Sequence, residues 1–141
     1  MTSASKSKGS AWERDCVRYL NSWTFAAHAD RMPAGATHDR GDIGGIPHLV
    51  IECKNHANVG DAVRLGVDGL VDKSDAAKAD HAVAFVKRRG KPAAEGYAVV
   101  TITAWCQLYD QLIDAERRVV AKDQALRAAV SLLADERNQG E

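Results

Sequence analysis

The sequence predicts a mixed α/β (α+β) layer fold: a central mixed sheet flanked by helices, followed by a long C-terminal helical segment. Three observations predict it. An amphipathic stretch with a capping signal opens near residue 10. Short β-rich runs (HLVIECK, HAVAFVK, YAVVTI) are separated by Gly- and Pro-containing turns. From Ala104 to Gln139 there is neither Pro nor Gly. The element order read this way is helix, three strands, helix, two strands, helix. At 141 residues, one domain with a sizeable core is expected.

Residues 1–9, MTSASKSKG, read as a flexible basic arm carrying Lys6 and Lys8. The core is expected over 10–103. A helix is predicted from Ser10, where Ser10-Ala11-Trp12-Glu13 has the S-x-x-E capping pattern, to about Trp23. Its apolar arc is Trp12, Cys16, Val17, Tyr19, Leu20 and Trp23. Thr24–Ala29 reads as a short strand, and Arg31–Gly41 as a loop. Asp42-Ile43 and His48–Lys54 read as paired strands about the turn Gly44-Gly45-Ile46-Pro47. Asn58–Ala79 reads as a helix weakened by Gly66 and Gly69. His81–Lys87 and Tyr97–Ile102 read as strands around a basic turn.

Residues 104–141 form the predicted helical extension, as one long helix or a tight pair, packed on the core or at a dimer interface. Trp105, Leu112, Val119, Leu126 and Leu133 recur every seven residues. The d-type positions between them include Lys122 and Glu136, a poor pattern for a regular coiled coil. The Leu126–Leu133 half is a candidate dimer contact. The three tryptophans are expected in core packing rather than base stacking.

The chain carries 19 basic and 19 acidic residues and is 45% hydrophobic. That composition argues against global disorder. No run approaches the ~20 apolar residues of a membrane span, and the N-terminus lacks the apolar core of a secretory signal. A cytoplasmic location is expected, in a host cell if the chain is phage-encoded. Three widely spaced cysteines make neither a disulfide framework nor a zinc ribbon. The five histidines show no zinc spacing beyond the two-ligand fragment Cys53-x-x-His56. Zero net charge speaks against binding nucleic acid through the overall field, but not through a local patch. Through residue 102 there are 14 basic and 12 acidic residues, and beyond it 5 and 7.

The segment with most chemical content is Gly41–Lys54 (GDIGGIPHLVIECK). A buried β-rich run leads directly into a carboxylate and an amine, and period-2 alternation puts Glu52 and Lys54 on one face. A hairpin about Pro47 sets Asp42 beside Glu52. Glu13 falls inside the apolar arc of its helix, where a lone carboxylate is costly unless paired. Each residue also has an ordinary reading: Glu13 as the capping-box glutamate, Asp42 as a turn aspartate. Converging carboxylates have raised pKa values unless a cation lies among them, and oxygen donors suit Mg²⁺ or Mn²⁺. Such a site can hydrolyse phosphodiesters.

Taken in order, Lys8-Gly9-Ser10 to Glu13-Arg14, a Gly-containing loop, Gly41-Asp42-Ile43 and Val50-Ile51-Glu52-Cys53-Lys54 resemble the PD-(D/E)XK nuclease superfamily. Within it, the pattern is most similar to the small Holliday junction resolvases of archaea and some phages, over residues 8–102. The resemblance implies a restriction-endonuclease-like fold, a homodimer, and Mg²⁺-dependent cleavage of branched or duplex DNA, with Mn²⁺ as a substitute. It implies Asp42, Glu52, the Cys53 carbonyl and Glu13 as metal ligands, and Lys54 as the catalytic lysine. Gly41 stands where the superfamily has its nominal proline, and Ala34-Gly35-Ala36-Thr37 replaces the Ser-Gly loop, with Thr37 as the available hydroxyl. Lys87, Arg88 and Arg89, with Lys6, Lys8, Arg31, Thr37 and Arg40, are the candidate DNA contacts. A different nicking, restriction-like or repair nuclease, or a non-catalytic DNA-binding protein, remains open.

Overall fold

The computed structural model describes residues 3–26, 28–33 and 41–139. The chain runs α1 (Ser3–Leu20), a 3-10 turn (Thr24–Ala26), β1 (Asp30–Arg31), β2 (Ile43–Gly44), β3 (Leu49–Lys54), α2 (Val59–Val67), α3 (Leu70–Ala77), β4 (His81–Val86), a second 3-10 turn (Ala93–Glu95), β5 (Tyr97–Val99) and α4 (Ile102–Gln139). This is the mixed α/β architecture expected from the sequence: a five-stranded sheet, flanking helices and a long C-terminal helix. Two compact units divide the chain, Met1–Ala104 and Trp105–Glu141.

The strands lie in sequence order, β1-β2-β3-β4-β5. Every pairing is antiparallel except β3 with β4. A parallel pair needs a crossover, and α2 with α3 supplies it. Both helices contact β3 and β4. Alternation along β3 then divides its side chains between two layers. Ile51, with Leu49 and Cys53 beside it, packs on the α1 side with Trp12, Cys16, Leu20, Ala26, Ala29 and Ile43. Val50, Glu52 and Lys54 face the α2–α3 side. Burying a residue such as Ile43 or Ile51 stabilises the fold by about 1.5–3 kcal/mol. Asn21 fastens α1 to the start of β1, its side-chain amide donating to the Ala29 carbonyl and accepting from the Ala29 N–H, both at 2.9 Å.

Several expectations are corrected. α1 begins at Ser3, so residues 3–9 are helical and Ser10 lies inside the helix. Ser10 is therefore not an N-cap; its hydroxyl accepts from Arg31 Nη2 at 3.1 Å instead. Nothing in SASKSKGS forbids a helix, since a single Gly is tolerated at a cost of about 1 kcal/mol. Thr24–Ala29 is not a strand; it holds a 3-10 turn. The expected helix over 58–79 breaks at Gly69 into α2 and α3. Asn58 caps α2, its side-chain oxygen accepting from Gly60 N and Asp61 N. Gly66 has a packing reason: a Cβ there would lie 2.8 Å from the Ala84 Cβ, so its absence lets α2 close on β4. β5 ends at Val99, and Thr101 Oγ1 accepts from Ala104 N at 3.1 Å, capping α4.

Of the three tryptophans only Trp12 is in the core; Trp23 and Trp105 are about half exposed. Trp105 stacks on Tyr109 with ring centroids 5.3 Å apart. α4 is one continuous helix, and Leu112, Val119, Leu126 and Leu133 are exposed along it. Among the described residues, no helix is long and apolar enough to cross a membrane.

Candidate active site

The β2–β3 hairpin places the first carboxylate. Ile43 pairs with Ile51, which sets Asp42, one residue outward, level with Glu52. Asp42 is pinned through its backbone and its side chain. Its N–H donates to the Ile51 carbonyl at 2.8 Å, its carbonyl accepts from Met32 N at 2.9 Å, and Oδ2 accepts from the Cys53 N–H at 2.6 Å. The preceding residue has to be glycine. Gly41 adopts φ +86°, and a Cβ on it would sit 2.7 Å from the Ile51 carbonyl oxygen and 2.9 Å from Val50 Cγ1. A proline, whose ring holds φ near −65°, cannot adopt this conformation.

Burial raises the Asp42 carboxyl above its ordinary value, and the negative charges of Glu52 and Glu13 add to the effect. The Cys53 N–H and the Lys54 ammonium pull in the opposite direction without cancelling it.

Among the described residues, Glu52 is the buried charged one, with a side chain only 6% exposed. Both of its oxygens carry a cation. Lys54 Nζ donates to Oε1 at 2.5 Å, and Lys73 Nζ donates to Oε2. The Lys54 contact follows from period-2 alternation along β3. The Lys73 contact comes from α3, 21 residues further along the chain. Sequence reading missed Lys73, because no local pattern links a helical lysine to a strand glutamate. The available signal was the crossover itself, which lays α3 across the Glu52 face of β3.

Glu13 approaches from α1. The Arg31 guanidinium holds its Oε2, through Nε at 2.7 Å and Nη2 at 2.6 Å. The pairing that a carboxylate on the apolar arc requires is thus supplied by Arg31, which the sequence had suggested as a DNA contact. The Cys53 thiol belongs to the α1-side core. It hydrogen-bonds Cys16, and that contact together with burial pushes it far above its ordinary value. Its backbone is another matter. The carbonyls of His48 and Lys54 accept from His81 N and Lys87 N, toward β4, whereas the Ile51 carbonyl accepts from Asp42. Alternation therefore turns the Cys53 carbonyl toward the Asp42 side as well.

The described residues thus bring together Asp42, Glu52, Lys54, Lys73 and the Cys53 carbonyl, with Glu13 close enough to act on Asp42 by charge. Among the described residues, no group of three His, Cys, Asp or Glu side chains is already arranged to hold a metal. The donor chemistry nevertheless fits a hard divalent cation. Asp42 and Glu52 offer carboxylate oxygens and the Cys53 carbonyl a further one, the oxygen-donor set such a cation takes.

Two of the other basic candidates, Lys87 and Arg88, have partners. Lys87 lies 5.2 Å over the Trp12 ring and 3.9 Å from Asp15. Arg88 lies 5.0 Å over Tyr97 and donates to the Glu95 carbonyl at 3.3 Å. Arg89 and Lys8 are exposed. Thr37, Arg40 and the Lys6 side chain lie outside the described residues. In comparisons with known proteins, no family model, no curated protein and no solved structure matches the chain.

Proposed function

We propose that the chain is a Mg²⁺-dependent DNA endonuclease of the PD-(D/E)XK type, acting on branched DNA and above all on four-way junctions. The observation that carries this reading is the joint placement of Asp42, Glu52 and Lys54 on adjoining strands. Asp42, Glu52 and the Cys53 carbonyl would hold the cation. The chemistry supplied there would be polarisation of the scissile phosphate and neutralisation of charge on the departing oxygen. Lys54 Nζ, held by Glu52, would hold the phosphate charge or orient the attacking water. Arg31 holds Glu13 in place through its Oε2. Arg89 and Lys8 are exposed cations for backbone phosphates. A two-fold dimer would match the two scissile strands of a junction, and the exposed Leu126 and Leu133 offer it an apolar contact.

A second reading is a non-catalytic DNA-binding protein. It is favoured by one observation: ammonium groups already occupy both Glu52 oxygens. One experiment separates the readings. Junction, flap and linear duplex are incubated at equal concentration with the wild type, Glu52→Gln and Lys54→Ala, with and without Mg²⁺. The proposal expects Mg²⁺-dependent cleavage by the wild type, strongest on the junction, and loss of at least about 100-fold in each variant. Equal rates on all three substrates would remove the junction preference. Cleavage undiminished in both variants would overturn the active-site assignment.

A further inference from the structure

Glu52 is a buried carboxylate with an ammonium on each oxygen, and the two ammoniums have different origins. Lys54 is two residues away on the same strand and shares its face. Lys73 reaches across from α3, and its side chain is only 17% exposed. Burying a flexible lysine costs side-chain entropy and desolvation, so a lysine held at this depth needs a counter-charge. Asp42 Oδ2 instead accepts from a neutral donor, the Cys53 N–H at 2.6 Å. The two neighbouring carboxylates thus stand differently: Glu52 carries an ammonium on each oxygen, whereas the hydrogen bond on Asp42 Oδ2 comes from a backbone amide. A divalent cation drawn in by Asp42 meets a Glu52 whose oxygens are both taken.

We propose that Lys73 is a positioning residue of the site, an internal counter-cation that holds Glu52 Oε2 until a divalent cation displaces it. This inference rests on the metal-dependent reading above and adds a residue to it. Lys54 is tied to the Glu52 face by the strand itself, whereas Lys73 sits at the end of a flexible four-carbon stem on another element. Of the two, Lys73 is therefore the one able to withdraw. While in place it holds Glu52 Oε2 through a charge-assisted hydrogen bond. Once displaced, its ammonium remains beside the site, where an incoming phosphate needs a positive charge. Lys73 and the cation compete for one oxygen, so removing the lysine charge tightens cation binding while depriving the loaded site of a cationic contact.

The test is Mn²⁺ binding to the purified full chain, followed by the electron paramagnetic resonance signal of free Mn²⁺. Four proteins are compared: the wild type, Lys73→Met, Lys73→Arg and Glu52→Gln/Lys73→Met. Lys73→Met keeps the length of the stem and removes the charge. It is expected to bind Mn²⁺ on the order of tenfold more tightly than the wild type. Lys73→Arg, which keeps the charge, is expected to stay within about twofold of the wild type. The gain is expected to vanish with Glu52→Gln, because the oxygen being competed for is then no longer anionic. At saturating Mn²⁺, Lys73→Met is expected to cleave more slowly, the loss appearing in KM for DNA. Circular dichroism verifies folding, and Lys73→Gln replaces Lys73→Met if the latter does not fold.

Unchanged or weaker Mn²⁺ binding in a folded, charge-removed variant would overturn the proposal, even if the wild type cleaves DNA. Tighter binding without cleavage of any DNA by the wild type would sustain the role of Lys73 and overturn the nuclease reading. A wild type that binds no Mn²⁺ would overturn both.

Discussion

Gly41→Ala tests whether backbone geometry at the β2–β3 hairpin holds the first carboxylate in place. The added Cβ would lie 2.7 Å from the Ile51 carbonyl oxygen, in contact with backbone rather than with a flexible side chain. Retreat to an ordinary contact of 3.4 Å requires a movement of 0.7 Å in the peptide that carries Asp42. A left-handed conformation costs an L-residue roughly 1–2 kcal/mol, and forcing a methyl group into a packed site costs about 1–3 kcal/mol. The expected destabilisation is therefore about 2–5 kcal/mol, a large share of a typical total of about 5–15 kcal/mol. The same movement lengthens both the Asp42 N–H to Ile51 bond, 2.8 Å, and the Cys53 N–H to Oδ2 bond, 2.6 Å. A displacement near 1 Å at a reacting group costs about 100-fold in rate. Urea denaturation measures the first effect and Mg²⁺-dependent junction cleavage the second. A Gly41→Ala protein with an unaltered urea midpoint would refute the steric argument. Lost stability with full cleavage would refute the link from Gly41 to the position of Asp42.

Asp42→Asn is expected to stabilise the metal-free protein at neutral pH, because Asn retains an oxygen for the Cys53 N–H and removes a half-buried charge that Glu52 and Glu13 repel. The sign follows from the upward shift. The folded carboxyl binds its proton more tightly than the unfolded one, so its favourable contribution is complete below the usual carboxylate range of about 4 and is lost as pH rises through the raised value. Urea midpoints of the variant and the wild type should therefore converge at about pH 3.5 and separate by pH 7, while Mn²⁺ affinity at pH 7 falls in the variant. Trp12→Phe is expected to cost about 2–3 kcal/mol by urea denaturation, since it removes core volume and the Nε1–H bond to the Phe85 carbonyl at 3.0 Å.

What the sequence determined by itself is what local physics controls. Alternation along Leu49–Lys54 puts Glu52 and Lys54 on one face whatever the rest of the chain does. A short hairpin about Gly44–Pro47 allows few registers, so Asp42 and Glu52 meet as read. A 36-residue stretch free of Pro and Gly is helical, as read, although only the structure decides between a tight pair and the one helix α4.

The rest required distant partners. Ser10 carries a true capping pattern, yet the helix runs past it, because a cap is only a preference of about 1 kcal/mol. Gly41 looks like a turn residue. Only the approach of the Ile51 carbonyl shows that no Cβ fits there. Gly66 lowers helix propensity locally and repays it through contact with β4. The electrostatics were the least legible. Which cation answers Glu13 depends on where β1 lies relative to α1, and which answers Glu52 depends on α3 crossing β3. Arg31 and Lys73 are 18 and 21 residues from their carboxylates. Burial makes those pairings necessary, but only the packed sheet and helices decide which residues satisfy them.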